Sequence, residues 1–423
     1  MISLNARIKI DRLGQKGEGL GRGPDGQVAV PYALAGETII AELDGAQGKL
    51  IEVLTPSPDR IEPFCRYFAS CGGCAVQTLA PAPTAQWKRE LLSDALRQAG
   101  LNASVDPPID AHGEGRRRAT FHARTGADGR TAVGFMQSRA HDIVEITECP
   151  LLAPAMSGAL PAARALADAL AASGKPLDIH VTATAAGLDI DLRGCGALDE
   201  HQTKRLVRRA LSLDLARLSN HGALITVQRQ PLLEMGRALV APPPGVFLQA
   251  TEAAEKLLAE KICAALEGVE TVADLFAGVG TFSLPIAEFA RVCAFDLEAP
   301  ALAALARGAR ASGLRPVKTE TRDLFRRPLA PKDLAAYGAV VLDPPRAGAQ
   351  EQARALAESG APLVISVSCN IRTFARDAAI LCAGGYEIVR IQPIDQFRCS
   401  PHLEIIGEFR RPAVKARRRP LLG

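Results

Sequence analysis

Apolar strands alternate with alanine- and leucine-rich helices from about residue 250 onward, and this alternation constrains the fold more than any other feature. TEAAEKLLAEKICAALEG reads as a helix, with Thr251 as its cap and Gly268 just past its end. The segments read as strands are TVADLF, RVCAFD, GAVVLD and APLVISVS. Strands that alternate with helices are typical of a parallel, doubly wound sheet. The sequence therefore predicts an α/β fold here.

The N-terminal part of the chain has a different pattern, with short strands separated by glycines. The segments read as strands are ARIKI, QVAVPYA, ETIIAEL and KLIEVL, and the glycine-rich GQKGEGLGRGPDG reads as a loop between the first two. Short strands closed by glycine-rich turns indicate a small OB-like β-barrel. Proline-rich segments at 56–64 and 241–245 then divide the chain into three predicted domains. These span 1–58, 59–240 and 241–423, and the central one mixes a helix (84–100) with strand-like segments.

The bulk properties describe an ordinary soluble chain with an unusual set of cysteines. The 423 residues carry a formal net charge of +4, which suits either simple solubility or a nucleic-acid partner. The sequence contains no apolar run long enough to span a membrane and begins without a secretory signal. We therefore expect a cytoplasmic protein without membrane association. In a reducing compartment, its ten cysteines are better read as thiols or ligands than as disulfides.

Three of these cysteines lie within the ten residues CRYFASCGGC (65–74), at spacings C-x5-C-x2-C. A catalytic cysteine does not require other cysteines nearby, whereas a structural metal site usually has four ligands. The motif therefore indicates a metal site with its fourth ligand elsewhere in the chain.

A glycine-rich loop, DLFAGVGTFS (274–283), follows the first strand of the doubly wound region. Gly278 and Gly280 allow a sharp turn and a close approach to a ligand. Ser283 stands where a dinucleotide-binding loop has its third glycine, so the loop looks instead like the S-adenosylmethionine loop of class I methyltransferases. Asp296 ends the next strand, where an acid can bind ribose hydroxyls. Asp323 follows a further strand, where it could contact the adenine.

Two more polar motifs follow apolar strands, LDPPRAG (342–348) and SCN (368–370). Amino-group methyltransferases commonly have an aromatic residue after D-P-P, whereas this chain has Arg346. That argues against methylation of an exocyclic amine and for a contact with phosphate. Cys369 is a candidate nucleophile because a polar turn replaces the apolar run where substrate should lie. Four other cysteines read as small buried side chains: Cys195, Cys263, Cys293 and Cys382.

Thiolate addition offers one chemistry for such a cysteine. When a thiolate adds to C6 of uracil, C5 becomes nucleophilic enough to attack a sulfonium methyl group. A base must then remove the C5 proton so that the thiol can leave. Glu404, in PHLE between apolar residues, is the candidate base, because burial could raise its pKa toward neutral. A structural ion pair is the alternative reading of this carboxylate.

Together these motifs resemble those of the bacterial RNA uracil-5 methyltransferase family that carries an iron–sulfur cluster. The resemblance covers nearly the whole chain, from a TRAM-like N-terminal barrel to a class I methyltransferase domain at the C-terminus. The matching motifs are CRYFASCGGC, FLQA, DLFAGVGTF, LDPPRAG, SCN and PHLE. The chain departs from the family pattern at Asp296, where many members have Glu, and within DQFRCSPHLE, which puts substrate choice in question.

The resemblance implies roles for particular residues. The fourth metal ligand would be Cys149 in TECPLL, completing a 4Fe-4S cluster, although from spacing alone four thiolates also suit zinc. Cys369 would be the nucleophile and Glu404 the base. The expected ligands of the cluster are Cys65, Cys71, Cys74 and Cys149. The expected contacts of S-adenosylmethionine are Gln249, Phe276, Gly278, Gly280, Asp296, Asp323 and Asp343. The expected RNA contacts are Phe247, Arg346, Arg116, Arg117, Arg118 and the basic tail KARRR (415–419).

The expected reaction is methyl transfer from S-adenosylmethionine to C5 of a uridine in RNA, with 23S ribosomal RNA as the preferred target. The T-loop of transfer RNA is the alternative target. An RNA cytosine-5 methyltransferase and a non-catalytic RNA-binding protein are further alternatives. We expect the protein to be a monomer, since nothing in the sequence suggests a larger assembly.

Overall fold

The computed structural model describes residues 4–138, 140 and 142–412, and its chain divides into two compact units. Unit 1 comprises Met1–Leu91, Pro107–Leu258 and Ile394–Leu403, and unit 2 comprises Leu92–Asp106, Ala259–Pro393 and Glu404–Gly423. The basic tail at 415–419 lies outside the described residues. The three-domain division of the sequence stays a prediction.

Unit 1 begins with a closed five-stranded barrel, in agreement with the predicted OB-like barrel. Its strands are β1 (Leu4–Leu13), β2 (Gly19–Gly23), β3 (Gly26–Val30), β4 (Thr38–Asp44) and β5 (Gln47–Thr55), closed in the order β1-β2-β3-β5-β4. The barrel is filled by alternate side chains of these strands, among them Ile8, Ile10, Val28, Val30 and Ile39. This is the alternation that a half-buried strand requires.

Strand β2 corrects the sequence prediction, which treated its residues as part of a loop. Gly19–Gly23 pairs with both β1 and β3 although its sequence, GLGRG, has few residues of high strand propensity. A Cβ on Gly21 would lie 2.4 Å from the carbonyl oxygen of Lys9. Glycine is therefore needed here for close approach of two backbones, and propensity alone pointed to a turn.

The central part of unit 1 is a seven-stranded sheet with two helices packed against it. Helix α1 (Pro81–Gln98) and the short strand β6 (Ile109–Asp110) precede this sheet. The sheet strands are β7 (Arg118–Thr125), β8 (Thr131–Met136), β9 (Ile143–Glu145), β10 (Leu177–Thr184), β11 (Gly187–Arg193), β12 (Arg217–Asn220) and β13 (Ala223–Val227). Their order is β13-β12-β11-β10-β7-β8-β9. Helices α2 (Ala159–Leu170) and α3 (Glu200–Ser212) contribute apolar side chains to the same core as this sheet.

A hairpin and a helix lie along the chain between the strands of the seven-stranded sheet and those of the doubly wound sheet. The hairpin is formed by β14 (Leu233–Met235) and β15 (Ala238–Val240), and the helix is α4 (Glu252–Ala265). Thr251 caps α4, because its Oγ1 accepts a hydrogen bond from the Ala254 amide at 3.1 Å. The predicted cap is therefore confirmed. Short 3-10 helices lie at Pro154–Met156 and Ala171–Ser173.

Unit 2 contains the doubly wound sheet that the strand–helix alternation predicted. Its strands are β16 (Thr271–Leu275), β17 (Arg291–Asp296), β18 (Val317–Thr321), β19 (Ala339–Leu342), β20 (Leu363–Ser368), β21 (Glu387–Asp395) and β22 (Glu404–Arg410). Its helices are α5 (Ser283–Ile286), α6 (Ala299–Ala311), α7 (Pro331–Leu334), α8 (Gln350–Glu358) and α9 (Ile371–Ala383). The strand order is β18-β17-β16-β19-β20-β22-β21.

The first five strands of this sheet pair in parallel, and β22 runs antiparallel to β20. The order reverses between β16 and β19, so the carboxyl ends of these strands form the crevice where open α/β sheets bind ligands. The last residues of β21, Ile394 and Asp395, belong to unit 1 and pair with β6. In the described ranges, no helix combines the length and apolarity that a membrane span requires.

Candidate active site

Cys369 lies in the turn that connects β20 to α9. Asn370 begins this helix, and its side-chain oxygen accepts hydrogen bonds from the amides of Arg372 and Thr373, which satisfies two of the donors that a helix N-terminus leaves unpaired. The Asn370 Nδ2 also donates to the carbonyl oxygen of Arg346 at 3.1 Å. The two sequence motifs SCN and DPPR are therefore joined directly.

Glu404 is the first residue of β22, and the sheet brings it to the same edge as Cys369. Ser368 and Ile405 are partners in the antiparallel ladder, so extending the register by one residue sets Cys369 opposite Glu404. The Glu404 side chain is buried, and its charge acts on the Cys369 thiol. The predicted nucleophile and the predicted base are thus neighbours in space.

The local electrostatics keep the Cys369 thiol protonated in the structure without substrate. Burial, followed by the negative charges of Glu404 and Asp343, raises the pKa of Cys369 to about 11, and the Arg346 guanidinium opposes this rise. A thiolate is the nucleophilic form. At neutral pH Cys369 is therefore held mainly in its less reactive, protonated form.

The glycine loop after β16 has the backbone geometry of a ligand-binding turn. Phe276 has φ of 63°, Gly278 of 53° and Gly280 of 99°, all in the left-handed region that favours glycine. A Cβ on Gly280 would lie 2.8 Å from the Leu305 side chain, so the helix behind the loop packs closely against it. The Gly278 amide donates to Asp296 Oδ2 at 2.8 Å. The loop and the predicted ribose-binding acid therefore form one structural element.

Asp323 lies two residues past β18, in a turn that its own side chain holds. Its Oδ1 accepts hydrogen bonds from the amides of Phe325 at 3.0 Å and Arg326 at 3.1 Å. The ring of Phe325 lies 5.4 Å from the ring of Phe276 and is 49% exposed. The exposed ring of Phe325, next to the half-buried ring of Phe276 beside the glycine loop, can pack against a planar group such as adenine. Phe325 was not among the residues predicted from the sequence, although an aromatic residue two positions after Asp323 could have indicated it.

Asp274 is a second residue that sequence reasoning left unassigned. It is fully buried near the end of β16, and its Oδ2 accepts a hydrogen bond from Ser283 Oγ at 2.5 Å. Among the described residues, its Oδ1 has no hydrogen-bond partner. Burial, followed by the charges of Asp343 and Asp296, raises the pKa of Asp274 to about 7. The sequence feature that could have drawn attention to Asp274 is the presence of an acidic residue inside the apolar strand TVADLF.

In unit 1, the four predicted metal ligands are among the residues that line one cavity of about 730 Å³. They are Cys65, Cys71, Cys74 and Cys149. Burial raises the pKa of Cys149, and charge on the other three cysteines raises it further. Four thiols in mutual electrostatic reach have the donor chemistry of a four-thiolate metal group. However, the part of the chain that the structure describes has no group of three or more His, Cys, Asp or Glu side chains arranged to hold a metal ion.

A fifth cysteine, Cys399, lies against this site. Its thiol hydrogen-bonds with that of Cys74, and this bond is the main cause of a raised pKa for Cys74. The amides of Ala75 and Val76 both donate to the Cys399 carbonyl oxygen, at 2.8 and 3.2 Å. Cys399 has φ of 65°, which is uncommon for a residue other than glycine. The segment that departs from the family pattern is therefore held against the cysteine loop.

The three adjacent arginines predicted to contact RNA have different environments. Arg118 lies over the ring of Phe247, with its Cζ 4.4 Å from the ring centroid, and Phe247 is 63% exposed. Arg116 and Arg118 line the cysteine cavity. Arg117 is buried and forms an ion pair with Glu255. Arg116, Arg118 and the exposed ring of Phe247 can therefore contact a nucleic acid, with a base stacked on the aromatic ring.

Comparisons with known proteins agree with this arrangement. Residues 241–409 match the model of a family described as tRNA (uracil-5-)-methyltransferase. An uncharacterized RNA methyltransferase of Caulobacter vibrioides is 44% identical over 412 residues, which cover 96% of this chain and 99% of that protein. A 23S rRNA (uracil(1939)-C(5))-methyltransferase of Chromohalobacter salexigens is 32% identical over 94% of this chain and 87% of its own length.

A solved structure shows the same fold. It is the tRNA (uracil-54, C5)-methyltransferase of Pyrococcus abyssi in complex with S-adenosyl-L-homocysteine, with a TM-score of 0.72 and 20% sequence identity. The alignment covers 96% of this chain and 100% of the Pyrococcus abyssi chain. The class I methyltransferase fold is therefore confirmed. With relatives of this identity along almost its whole length, the chain belongs to the family of S-adenosylmethionine-dependent RNA uracil-5 methyltransferases.

Proposed function

We propose that the protein methylates C5 of a uridine in 23S ribosomal RNA, with Cys369 as nucleophile and Glu404 as base. One observation carries this proposal. Cys369 directly follows β20 and Glu404 begins β22, the antiparallel partner of β20, at the ligand-binding edge of the sheet, and the Glu404 charge acts on the thiol. This reaction requires a nucleophile and a base that are close enough to act on the same uracil ring.

In this mechanism Cys369 and Glu404 handle two separate atoms of uracil. Cys369 loses its thiol proton to water, and the thiolate forms a bond to C6, which leaves C5 as a carbon nucleophile. S-adenosylmethionine supplies the methyl group and leaves as S-adenosylhomocysteine. Glu404 then takes the proton from C5, the C6–S bond breaks, and Cys369 recovers its electron pair as a thiolate. Because C5 and C6 of a stacked base are covered, the target uridine must be unstacked or flipped out.

The residues proposed to bind S-adenosylmethionine are the glycine loop and the acids beside it. Asp296 would bind the ribose and Asp323 the adenine, with the exposed ring of Phe325 beside Phe276 as an additional packing surface. The family resemblance adds Asp343 and Gln249. Asp343 also raises the pKa of Cys369, which supports a position between the methyl donor and the target base.

For the RNA contacts, we propose Phe247, Arg116, Arg118 and Arg346. Single-stranded loops are the readable parts of RNA, and exposed aromatic and arginine planes are suited to their bases. Arg117, although part of the same run, contributes by holding backbone rather than by touching phosphate. The 32% identical relative named for 23S rRNA supports the ribosomal target, and the T-loop of transfer RNA is the second candidate.

A methyl-transfer assay tests the reaction and the target together. Purified protein, labelled S-adenosylmethionine and separate unmodified 23S and transfer RNA transcripts are incubated, and the labelled nucleoside is identified after digestion. We expect 5-methyluridine from the 23S transcript. The same product from transfer RNA alone would overturn the target, and 5-methylcytidine would overturn the reaction. A Cys369→Ala variant that still methylates would refute the catalytic role, with Cys382→Ala as the matched control.

We further propose that Cys65, Cys71, Cys74 and Cys149 hold a 4Fe-4S cluster. Support comes from their shared cavity and from the family resemblance. Protein purified without oxygen should contain about four irons and four sulfides per chain, and Cys74→Ser should lose them. Cys399→Ser is the matched control, because Cys399 contacts Cys74 but lies outside the proposed ligand set. Iron-free protein loaded with one zinc ion would overturn the cluster in favour of zinc.

We propose a TRAM-like RNA-binding barrel over 1–58, a central domain over 59–240 and a methyltransferase domain over 241–423, in a cytoplasmic monomer. The five-stranded barrel supports the first of these. Light scattering of the purified protein tests the monomer, with an expected mass near the 44.7 kDa of one chain.

A further inference from the structure

Tyr67 lies in the cysteine loop (65–74), between the first and the second predicted metal ligands. Its carbonyl oxygen accepts hydrogen bonds from the amides of Ser70 at 3.2 Å and Cys71 at 2.8 Å. Its ring packs against the core of the seven-stranded sheet. The Arg66 guanidinium lies over the same ring, 5.0 Å from its centroid. The loop backbone and the Tyr67 side chain are therefore fixed relative to each other.

The Tyr67 hydroxyl contacts a segment that lies 80 residues further along the chain. The Thr147 amide donates to Tyr67 Oη at 3.0 Å. Thr147 Oγ1 forms a second hydrogen bond with the same hydroxyl, also at 3.0 Å. Thr147 lies two residues before Cys149, the predicted fourth ligand. One hydroxyl group therefore connects the loop that carries three predicted ligands to the segment that carries the fourth.

Arg66 also reaches this segment, but its contacts involve exposed side chains. Its guanidinium donates to Thr147 Oγ1 and lies 3.6 Å from the Glu148 carboxylate. The Arg66 and Glu148 side chains are 59% and 65% exposed, and exposed ion pairs contribute little to stability. The Tyr67 bonds differ because they include the Thr147 backbone, so they hold the main chain that leads to Cys149.

The chain after Cys149 is held by contacts that do not involve the cysteine loop. The Arg116 amide donates to the carbonyl oxygen of Leu151 at 2.8 Å. The Leu152 amide donates to the carbonyl oxygen of Cys149 at 3.1 Å. A ligand on a separate segment stays at a metal more readily when its backbone is held close, because this raises its effective concentration there. The contribution specific to Tyr67 is to hold the Cys149 segment to the cysteine loop itself.

We infer that Tyr67 is a positioning residue whose hydroxyl keeps Cys149 at the metal site formed with the three cysteines of the loop. The inference rests on the proposed metal site. Without this hydroxyl, the three loop cysteines would still bind, whereas Cys149 would leave the metal more often. In a 4Fe-4S cluster, the iron bound by Cys149 would then be the first to leave, and the loop would retain a cluster of three irons.

Tyr67→Phe tests this, because it removes the hydroxyl and keeps the ring. Protein purified without oxygen is treated with ferricyanide, which takes one electron from the [4Fe-4S]²⁺ cluster. Release of one Fe²⁺ then leaves [3Fe-4S]⁺, which electron paramagnetic resonance detects, and a chelator reports the released iron. We expect the first iron to leave about fivefold faster in the variant, a factor that corresponds to one ordinary hydrogen bond. About three irons per chain should remain.

Tyr32→Phe is the matched control. The Tyr32 hydroxyl donates to the carbonyl oxygen of Ala69 at 3.3 Å, so this variant also removes a hydrogen bond to the cysteine loop. It leaves the Cys149 segment untouched, and its rate of iron loss should match that of the wild type. Equal acceleration in both variants, or simultaneous loss of all the iron in Tyr67→Phe, would assign the effect to general loosening of the loop and overturn the inference.

The remaining outcomes separate the inference from the proposed cluster. A wild-type cluster with unchanged iron loss in Tyr67→Phe would refute only the positioning role. Wild-type protein with bound zinc in place of iron would refute the cluster. The two tyrosine variants would then be compared by the rate at which a chelator removes zinc. About fivefold faster zinc release in Tyr67→Phe alone would support the positioning role, and an unchanged rate would overturn it.

Discussion

The protonation state of Cys369 gives a quantitative prediction for the free enzyme. Its pKa is raised to about 11 from an ordinary value of 9.0. At pH 8 roughly one Cys369 in a thousand is then a thiolate, against about one in ten for an ordinary cysteine, and only the thiolate reacts with iodoacetamide. Cys369 should therefore be alkylated roughly 100-fold more slowly at pH 8 than an exposed thiol of ordinary pKa. Mass spectrometry of the Cys369 peptide over time measures the rate.

The rate of Cys369 alkylation should increase with pH. The alkylation rate should rise about tenfold for each pH unit up to about pH 10 and level off near pH 11, with far-UV circular dichroism as the check that the protein stays folded. Glu404→Gln removes one of the two negative charges that raise this pKa. Two charges about 4 Å apart interact by about 1 kcal/mol in bulk water and more strongly in a buried site. Because Glu404 is buried, alkylation at pH 8 should be at least about fivefold faster in that variant.

Glu408→Gln is the control for this charge effect. Glu408 lies on the same strand, but it pairs with Arg410 at 2.7 Å and is not among the groups that shift the Cys369 pKa. Its alkylation profile should match that of the wild type. A midpoint at or below pH 9, or the same profile in Glu404→Gln and the wild type, would refute the electrostatic reasoning.

Three further predictions concern buried charges and the glycine loop. Arg117→Met leaves Glu255 buried without its partner, so the free energy of unfolding, measured in urea, should fall by about 3–5 kcal/mol. The double variant Arg117→Met/Glu255→Leu should restore most of this loss. The folded-state pKa of Asp274 is raised from 3.8 to about 7, so its folded form binds the extra proton and stability should fall as pH rises from 4 through 7; Asp274→Asn should flatten this slope. Gly280→Ala should lower the unfolding temperature more than Gly278→Ala, because both have positive φ but only at Gly280 would the new Cβ meet a neighbouring side chain.

Sequence reasoning succeeded where a pattern is local and periodic. The strands and helices after residue 250 follow directly from the alternation of apolar segments, and Thr251 caps α4 as its position before an apolar run indicated. It failed at β2, because Gly21 there allows a close contact with the backbone of Lys9 in the paired strand β1, and this requirement leaves no periodic pattern within the segment. The loop reading of GLGRG was reasonable from propensity and wrong for this reason.

The site shows the same division between local and distant information. Three consecutive arginines read as a single basic run, yet the partner that buries Arg117 is Glu255, 138 residues away in sequence. The hydrogen bond between Gln249, in the motif FLQA, and Gln396 spans 147 residues, and no feature of either segment indicates that the two are paired. By contrast, the carboxyl ends of parallel strands are marked locally by polar turns, and for that reason Cys369 and the glycine loop could be named in advance.

The antiparallel strand explains why the proposed base can lie opposite the proposed nucleophile in a sheet whose first five strands are parallel. Parallel strands contribute only their carboxyl ends to the ligand-binding edge, so Cys369 reaches it by following β20. A strand that runs in the opposite direction begins at that edge, and Glu404 is the first residue of β22. The position of Glu404 therefore depends on the register of β22 against β20. Insertion of one residue between Glu404 and Ile405 would shift Glu404 out of this register, and it should abolish methylation while leaving S-adenosylmethionine binding to the glycine loop measurable.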